Sequence, residues 1–231
     1  MTASARGLWL NLPMRWLLLT FSLLPLPSAA CDLALLFAVD VSGSVDPSKY
    51  QIQMEGLAQA LKDDQIAEAL VAGKTAMAVV QWTGSSRQRL TVPWTQVTSH
   101  EDLDGFAATV AQDRRIWRNF STAIGEAMLT SVAAFADAPV CARRVIDVSS
   151  DGVSNEGTEP LAVHALTDQH GITVNALVIE DATAGDLTGY FFENVITGPG
   201  AFVVTADGYA DYPERMRKKL LREVIEVISL R

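Results

Sequence analysis

Histidine and cysteine are scarce in this chain, at 3 and 2 of 231 residues. His100, His164 and His170 fall at predicted helix starts and ends, and His164 and His170 are not at a tight metal-binding spacing. Basic residues are outnumbered, 18 Lys and Arg against 27 Asp and Glu, for a formal net charge of −9. That balance excludes the basic face on which nucleic-acid binding depends. Beyond the N-terminus, no apolar run is long enough to cross a bilayer. Gly-x-Gly-x-x-Gly, a Walker loop and a Gly-x-Ser-x-Gly elbow are all missing. Their absence removes the sequence case for dinucleotide binding, P-loop chemistry and α/β-hydrolase catalysis. There is no internal repeat, low-complexity tract or linker.

What is present begins with an export signal. Arg6 and Arg15 form a positive segment, Trp16–Leu26 is a short apolar stretch, and Ser28-Ala29-Ala30 is a small-residue cleavage site. The apolar stretch is too short for a membrane span, and Pro25 and Pro27 break it. Residues 1–30 are therefore expected to be a signal peptide, and residues 31–231 one domain. A secreted or periplasmic location follows.

From residue 31 onward, strands alternate with helices. The apolar run Leu33–Val39 ends at Asp40 and reads as a buried strand. Pro47–Leu61 reads as a helix, with Tyr50, Met54, Leu57, Ala58 and Leu61 on one face. Thr75–Trp82 and Arg87–Trp94 read as a hairpin, its second strand an edge strand ended by Pro93. Helices are expected at 99–112, 121–135, 158–169, 186–195 and 213–230, and strands at 144–149, 172–179 and 202–206. Such alternation implies an α/β fold: a doubly wound, mostly parallel sheet with one antiparallel edge strand and helices on both faces. Ligands of such sheets bind beyond the carboxyl ends of the strands.

Asp40-Val41-Ser42-Gly43-Ser44 lies at such an end. Three oxygen-bearing side chains sit at alternate positions, with small neighbours that let them turn toward one point. Hard oxygen donors of this kind suit a small hard cation such as Mg²⁺. Each residue also has an ordinary role open to it. Asp40 could cap the next helix, Thr122 could be an N-terminal helix residue, and Asp151-Gly152 could be a routine turn. Asp40 after an apolar strand also fits an aspartyl phosphatase, but that chemistry needs a second Asp where this chain has Ser42.

Three segments together carry a family resemblance: Asp40-Val41-Ser42-Gly43-Ser44, Thr122-Ala123-Ile124-Gly125-Glu126, and Ser149-Ser150-Asp151-Gly152 after Val145-Ile146-Asp147-Val148. The chain resembles von Willebrand factor A-like domains with a metal-ion-dependent adhesion site. It is most similar to a group of uncharacterised exported bacterial proteins of a single domain. Ser150 stands where the family has Thr, and the group's Asp-Gly-Pro-Asn-Asn is here Asp151-Gly152-Val153-Ser154-Asn155. The resemblance implies that Asp40, Ser42, Ser44, Thr122 and Asp151 hold a divalent cation, Mg²⁺ first and Mn²⁺ or Ca²⁺ as alternatives. It implies a protein partner that presents a carboxylate, and binding without a bond-breaking step. Metal-assisted hydrolysis and a purely structural metal are the alternatives. Arg114, Arg115 and Arg118, ahead of Thr122, read first as a solvated basic loop, with orienting the partner's acid as the alternative. Trp82, Trp94 and Trp117 are read as core, with a binding rim as the alternative. Asn119-Phe120-Ser121 matches a glycosylation sequon.

The two cysteines precede two strands that lead to the site. Cys31 lies nine residues before Asp40, and Cys141 ten before Asp151. If those strands are neighbours the sulfurs meet, and an exported compartment permits the bond. A lipid anchor on Cys31 is the alternative, since Ala29-Ala30-Cys31 follows an apolar run.

Overall fold

The computed structural model describes residues 1–2, 31–118, 120–180 and 185–229. The expected signal peptide, apart from its first two residues, and Asn119 of the sequon lie outside the described residues.

Six strands form one sheet in the order β3-β2-β1-β4-β5-β6. They are β1 Cys31–Asp40, β2 Ala76–Trp82, β3 Gln88–Gln96, β4 Cys141–Ser150, β5 Ile172–Glu180 and β6 Val203–Asp207. Every pairing is parallel except β2 with β3. The helices are α1 Pro47–Ala60, α2 Asp64–Ala72, α3 His100–Gln112, α4 Ile124–Ala134, α5 His164–Gln169, α6 Leu187–Asn194 and α7 Tyr212–Ser229. Among the described residues, no helix is long and apolar enough to cross a membrane.

The central strands carry mostly apolar runs because both sheet faces are covered. Alternate residues separate onto two cores. Leu35, Phe37, Val39, Val79 and Val145 pack with Met54 and Leu57 of α1, Phe106 of α3 and Met216 and Leu220 of α7. Leu36, Ala38, Val80, Ile146 and Val148 pack on the other face with Ile124 and Met128 of α4 and Phe191 of α6. Burying one such side chain stabilises the fold by about 1.5–3 kcal/mol, so these two layers hold the sheet ends in place.

Local chemistry sets the helix starts. Asp46 caps α1 by accepting from Lys49 N at 2.8 Å, with Pro47 in the first turn. Ser99 caps α3 as expected. Gly125 lets α4 lie against the chain at Thr158, because a Cβ there would overlap the Thr158 carbonyl oxygen.

Three expectations need correction. β3 does not end at Pro93 but continues to Gln96. The register shifts between Met77 and Val80, so the proline lies at an irregularity of an edge strand and interrupts no central ladder. The helix expected at 158–169 is a 3₁₀ turn at Pro160–Val163 followed by α5 alone. The helix expected from Ser121 begins at Ile124, which leaves Thr122 in the loop. Trp82 is fully buried in the second core.

Cys31 and Cys141 are register partners on β1 and β4, and they form a disulfide. It lies at the amino ends of these strands. The sheet reverses its strand order between β1 and β4, so their carboxyl ends open the crevice in which doubly wound folds bind ligands.

Candidate metal centre

The end of β1 places Asp40 at the floor of that crevice, with no exposed surface. Its Oδ1 accepts from Ser42 N at 2.6 Å, which folds the loop back on itself. Its Oδ2 accepts from Ser150 Oγ at 2.5 Å, at the end of β4. Ser42 and Ser44 hydroxyls lie 3.2 Å apart, as alternate loop positions allow. Ser44 Oγ then donates to Asp151 Oδ1 at 2.5 Å. One hydrogen-bonded chain thus runs from Ser42 through Ser44 to Asp151, and Asp40 meets the same β4 terminus through Ser150.

Thr122 joins from the loop ahead of α4. It is buried, and a Cβ at Gly152 would stand 3.8 Å from its Oγ1. Its backbone is fixed on both sides: Thr122 N donates to Asn155 Oδ1 and Asn155 N donates to Thr122 O, each at 2.9 Å. Gly43 N donates to Phe120 O at 2.8 Å and ties this loop to the first. The structure therefore brings all five predicted residues to one crevice.

Asp40's carboxyl is pushed up to about 7. Burial is the main cause, the Ser150 hydrogen bond opposes it, and the nearby Asp151 charge adds to it. The Arg115 guanidinium lies within electrostatic reach of this carboxyl. Asp151 is better served: its Oδ2 accepts from Tyr209 OH at 2.9 Å and faces Lys49 Nζ at 3.6 Å. Burial, with the Asp151 charge behind it, pushes the Tyr209 hydroxyl strongly upward, so Tyr209 acts as a donor.

The three arginines divide. Arg115 donates through Nη2 to the carbonyls of Val41 and Ser42, both at 2.9 Å, and so braces the site loop from behind. Arg114 and Arg118 are exposed on the same segment. The sequence leaves all three a solvated loop or an acid-orienting role; Arg115's Nη2 is instead committed to backbone.

Ser150, Tyr209 and Lys49 were missed as contributors. Ser150 was visible only as a replacement for Thr. Tyr209 follows β6, and nothing local in the sequence brings that loop to Asp151. Among the described residues, no group of three or more His, Cys, Asp and Glu could hold a metal. The donor set here is two carboxylates with serine and threonine hydroxyls, a hard oxygen set.

A six-stranded, mostly parallel sheet with these loops at its switch point is a von Willebrand factor A-like fold. The chain belongs to the family described as "Protein of unknown function (DUF1194)", whose profile matches residues 30–228. That family is von Willebrand A-like. Among solved structures, the chain is similar to proximal thread matrix protein 1 from the mussel byssus, in a form described as having a zinc-occupied MIDAS motif. That match has 17% identity and a TM-score of 0.62, and covers 84% of this chain and 46% of the mussel chain. It is similar to a von Willebrand factor type A protein from Catenulispora acidiphila at 16% identity and TM-score 0.59, covering 84% and 43%. It is also similar to the vWF domain of the type V pili tip protein Mfa5 from Porphyromonas gingivalis, at 8% identity and TM-score 0.61, covering 87% and 97%. The chain thus spans less than half the length of the first two. At these identities the likeness is one of fold. The comparison with curated proteins returns no match.

Proposed function

We propose that this chain is an exported binding module that holds a divalent cation and captures an acidic group on a protein partner. Asp40, Ser42, Ser44, Thr122 and Asp151 are the proposed metal residues, with Mg²⁺ as first candidate and Mn²⁺ or Ca²⁺ as alternatives. The observation that carries the reading is the meeting of two loops: Ser44 bonds Asp151 while buried Asp40 bonds Ser150 beside it. The donor set fits a hard cation, because carboxylates balance its charge and neutral hydroxyls complete the set. The zinc-occupied motif in the mussel protein's description supports a divalent ion in this fold.

When bound, the cation supplies an electrophilic centre for an outside carboxylate. The chain's own residues would hold the ion without cancelling its charge. Asp40 is fixed by Ser42 N and Ser150, Asp151 is fixed by Tyr209, and the Ser42 and Ser44 hydroxyls add no charge. Arg114 and Arg118, exposed beside the site, are placed to attract the partner's acid. Hydrolysis would need a positioned base, and among the described residues no histidine hydrogen-bonds the Asp40 or Asp151 carboxylates, whose partners are Ser42, Ser150, Ser44 and Tyr209. We therefore propose binding without turnover. The N-terminal signal features support secretion or a periplasmic location.

The test is partner capture from the native organism with and without chelator. Capture should vanish with chelator and in the folded double variant Ser42→Ala/Ser44→Ala. Capture that survives both would make any metal structural. Metal-dependent hydrolysis of a phosphate or ester, abolished in Asp40→Ala, would replace binding with catalysis.

A further inference from the structure

A second polar cluster lies far from solvent, beneath α7. Lys219 has no exposed surface, and its side chain runs from α7 to the middle of β4. Its Nζ stands 2.6 Å from Asp147 Oδ2 and 2.6 Å from Glu223 Oε1. Asp147 is 1% exposed and Glu223 is fully buried. The two contacts differ in kind. Lys219 makes a directed hydrogen bond to Glu223. Toward Asp147 it makes none at the same distance, and neither oxygen of Asp147 has a hydrogen-bond partner.

The surroundings are closed and partly aromatic. The Phe202 ring centre lies 5.4 Å from Lys219 Nζ, and Arg222 covers the same ring at 3.8 Å. Asn175 Nδ2 donates to Glu223 Oε1 at 2.9 Å, while Asn175 Oδ1 accepts from Phe202 N at 3.1 Å. Glu223 Oε1 is thereby held by both Lys219 and Asn175, the register partner of Asp147 on β5. The candidate metal residues take no part in this cluster.

Two acids and one amine in a dry site cannot all be ionised without a net buried negative charge. Such a site favours neutral forms. Burial pushes the Asp147 carboxyl up to about 7, with the Lys219 charge opposing and the Glu223 charge adding. Burial acts to lower Lys219, and the two carboxylates outweigh it, so the ammonium is the resting form. A neutral amine therefore arises by proton transfer inside the Lys219–Glu223 hydrogen bond.

We propose that Lys219 and Asp147 condense into an intramolecular amide, with Glu223 as the proton acceptor. Lys219 Nζ passes one proton to the Glu223 carboxylate and attacks Cγ of the neutral Asp147 acid. A carbon–nitrogen bond forms and the Cγ–OH bond breaks. The hydroxyl leaves as water, with its own proton and a second one from the nitrogen. Glu223 keeps the first proton and ends neutral, so the cluster carries no net charge before or after. The step needs no oxidant, reductant or second molecule. Contact in a fixed geometry supplies an effective concentration of about 10⁵–10⁸ M in favourable cases, and exclusion of water disfavours the reverse step. The amide would bind α7 covalently to β4, the strand that the disulfide already joins to β1.

Mass spectrometry decides. The folded protein, after reduction and alkylation, should weigh one water less than its sequenced chain. Trypsin should fail to cut after Lys219, and one linked peptide pair should contain Lys219 and Asp147. A full mass with a free Lys219 peptide would overturn the proposal. Glu223→Gln keeps the size of the side chain and removes its basicity. It should give the full, unlinked mass, and a linked product in that variant would overturn the role of Glu223. Lys219→Arg keeps a cation but cannot form the amide, and it should show the full mass. The same water loss in that variant would overturn the assignment to Lys219.

Discussion

Ser44 and Asp151, 107 positions apart in sequence, share a 2.5 Å hydrogen bond across the crevice between β1 and β4. That contact makes two strand ends into one site. Its neighbour Ser150 bonds Asp40 in the same crevice, so the geometry of the first loop depends on the second.

Metal affinity should follow this dependence. Asp40→Ala and Asp151→Ala should each weaken Mg²⁺ or Mn²⁺ binding sharply in calorimetry. Ser150→Ala leaves all five proposed metal residues in place but frees Asp40 Oδ2. It should cost roughly tenfold in affinity, the usual effect of losing a partner that orients a ligand. Equal binding in wild type and all three variants would remove the site.

The disulfide should matter to stability. Cys31 and Cys141 are 110 positions apart, so the bond constrains a long stretch of the unfolded chain. Cys31→Ser should lower unfolding free energy by ~2–5 kcal/mol in urea titration. An unchanged midpoint would mean the β1–β4 pairing holds that end alone. Intact mass on exported protein also tests the alternative: a lipid adduct on Cys31 with a free thiol at Cys141 would reverse the assignment.

Gly125→Ala should destabilise the protein out of proportion to one methyl group. The new Cβ would overlap the Thr158 carbonyl, which is backbone and cannot rotate away. A loss of about 1–3 kcal/mol is expected, as for other overpacked positions. Because Thr122 lies three residues earlier, metal binding measured on the folded fraction should weaken too.

Glu214 offers a pH test on α7. Its carboxyl is held down to about 2 from an ordinary 4.5, first by hydrogen bonds from Arg217 and Lys218. The folded value is depressed, so its stabilising effect is present above pH 4.5 and is lost as pH falls through about 2. The group is exposed, and the effect should shrink with added salt. NMR titration should find the low value in wild type and a rise toward 4.5 in Arg217→Ala.

The sequence alone determined the alternation of strands and helices, because β1, β2, β4 and β5 are apolar runs and the helices carry their own caps, such as Asp46 and Ser99. It also marked Asp40, Ser42, Ser44, Thr122 and Asp151, since each follows a strand or precedes a helix where backbone and side chain can both turn to a ligand. It placed the cysteines at two strand starts. Tertiary structure decided the rest. Pro93 stays inside β3 because an edge strand with shifted register tolerates a missing donor. Arg115 is drawn inward because the Val41 and Ser42 carbonyls point at it from another loop. Tyr209 reaches Asp151, and Lys219 reaches Asp147, only after the last strand and helix have packed. Periodicity records which face a residue is on. It does not record which distant side chain shares that face, and there hydrogen bonding and burial across the fold make the choice.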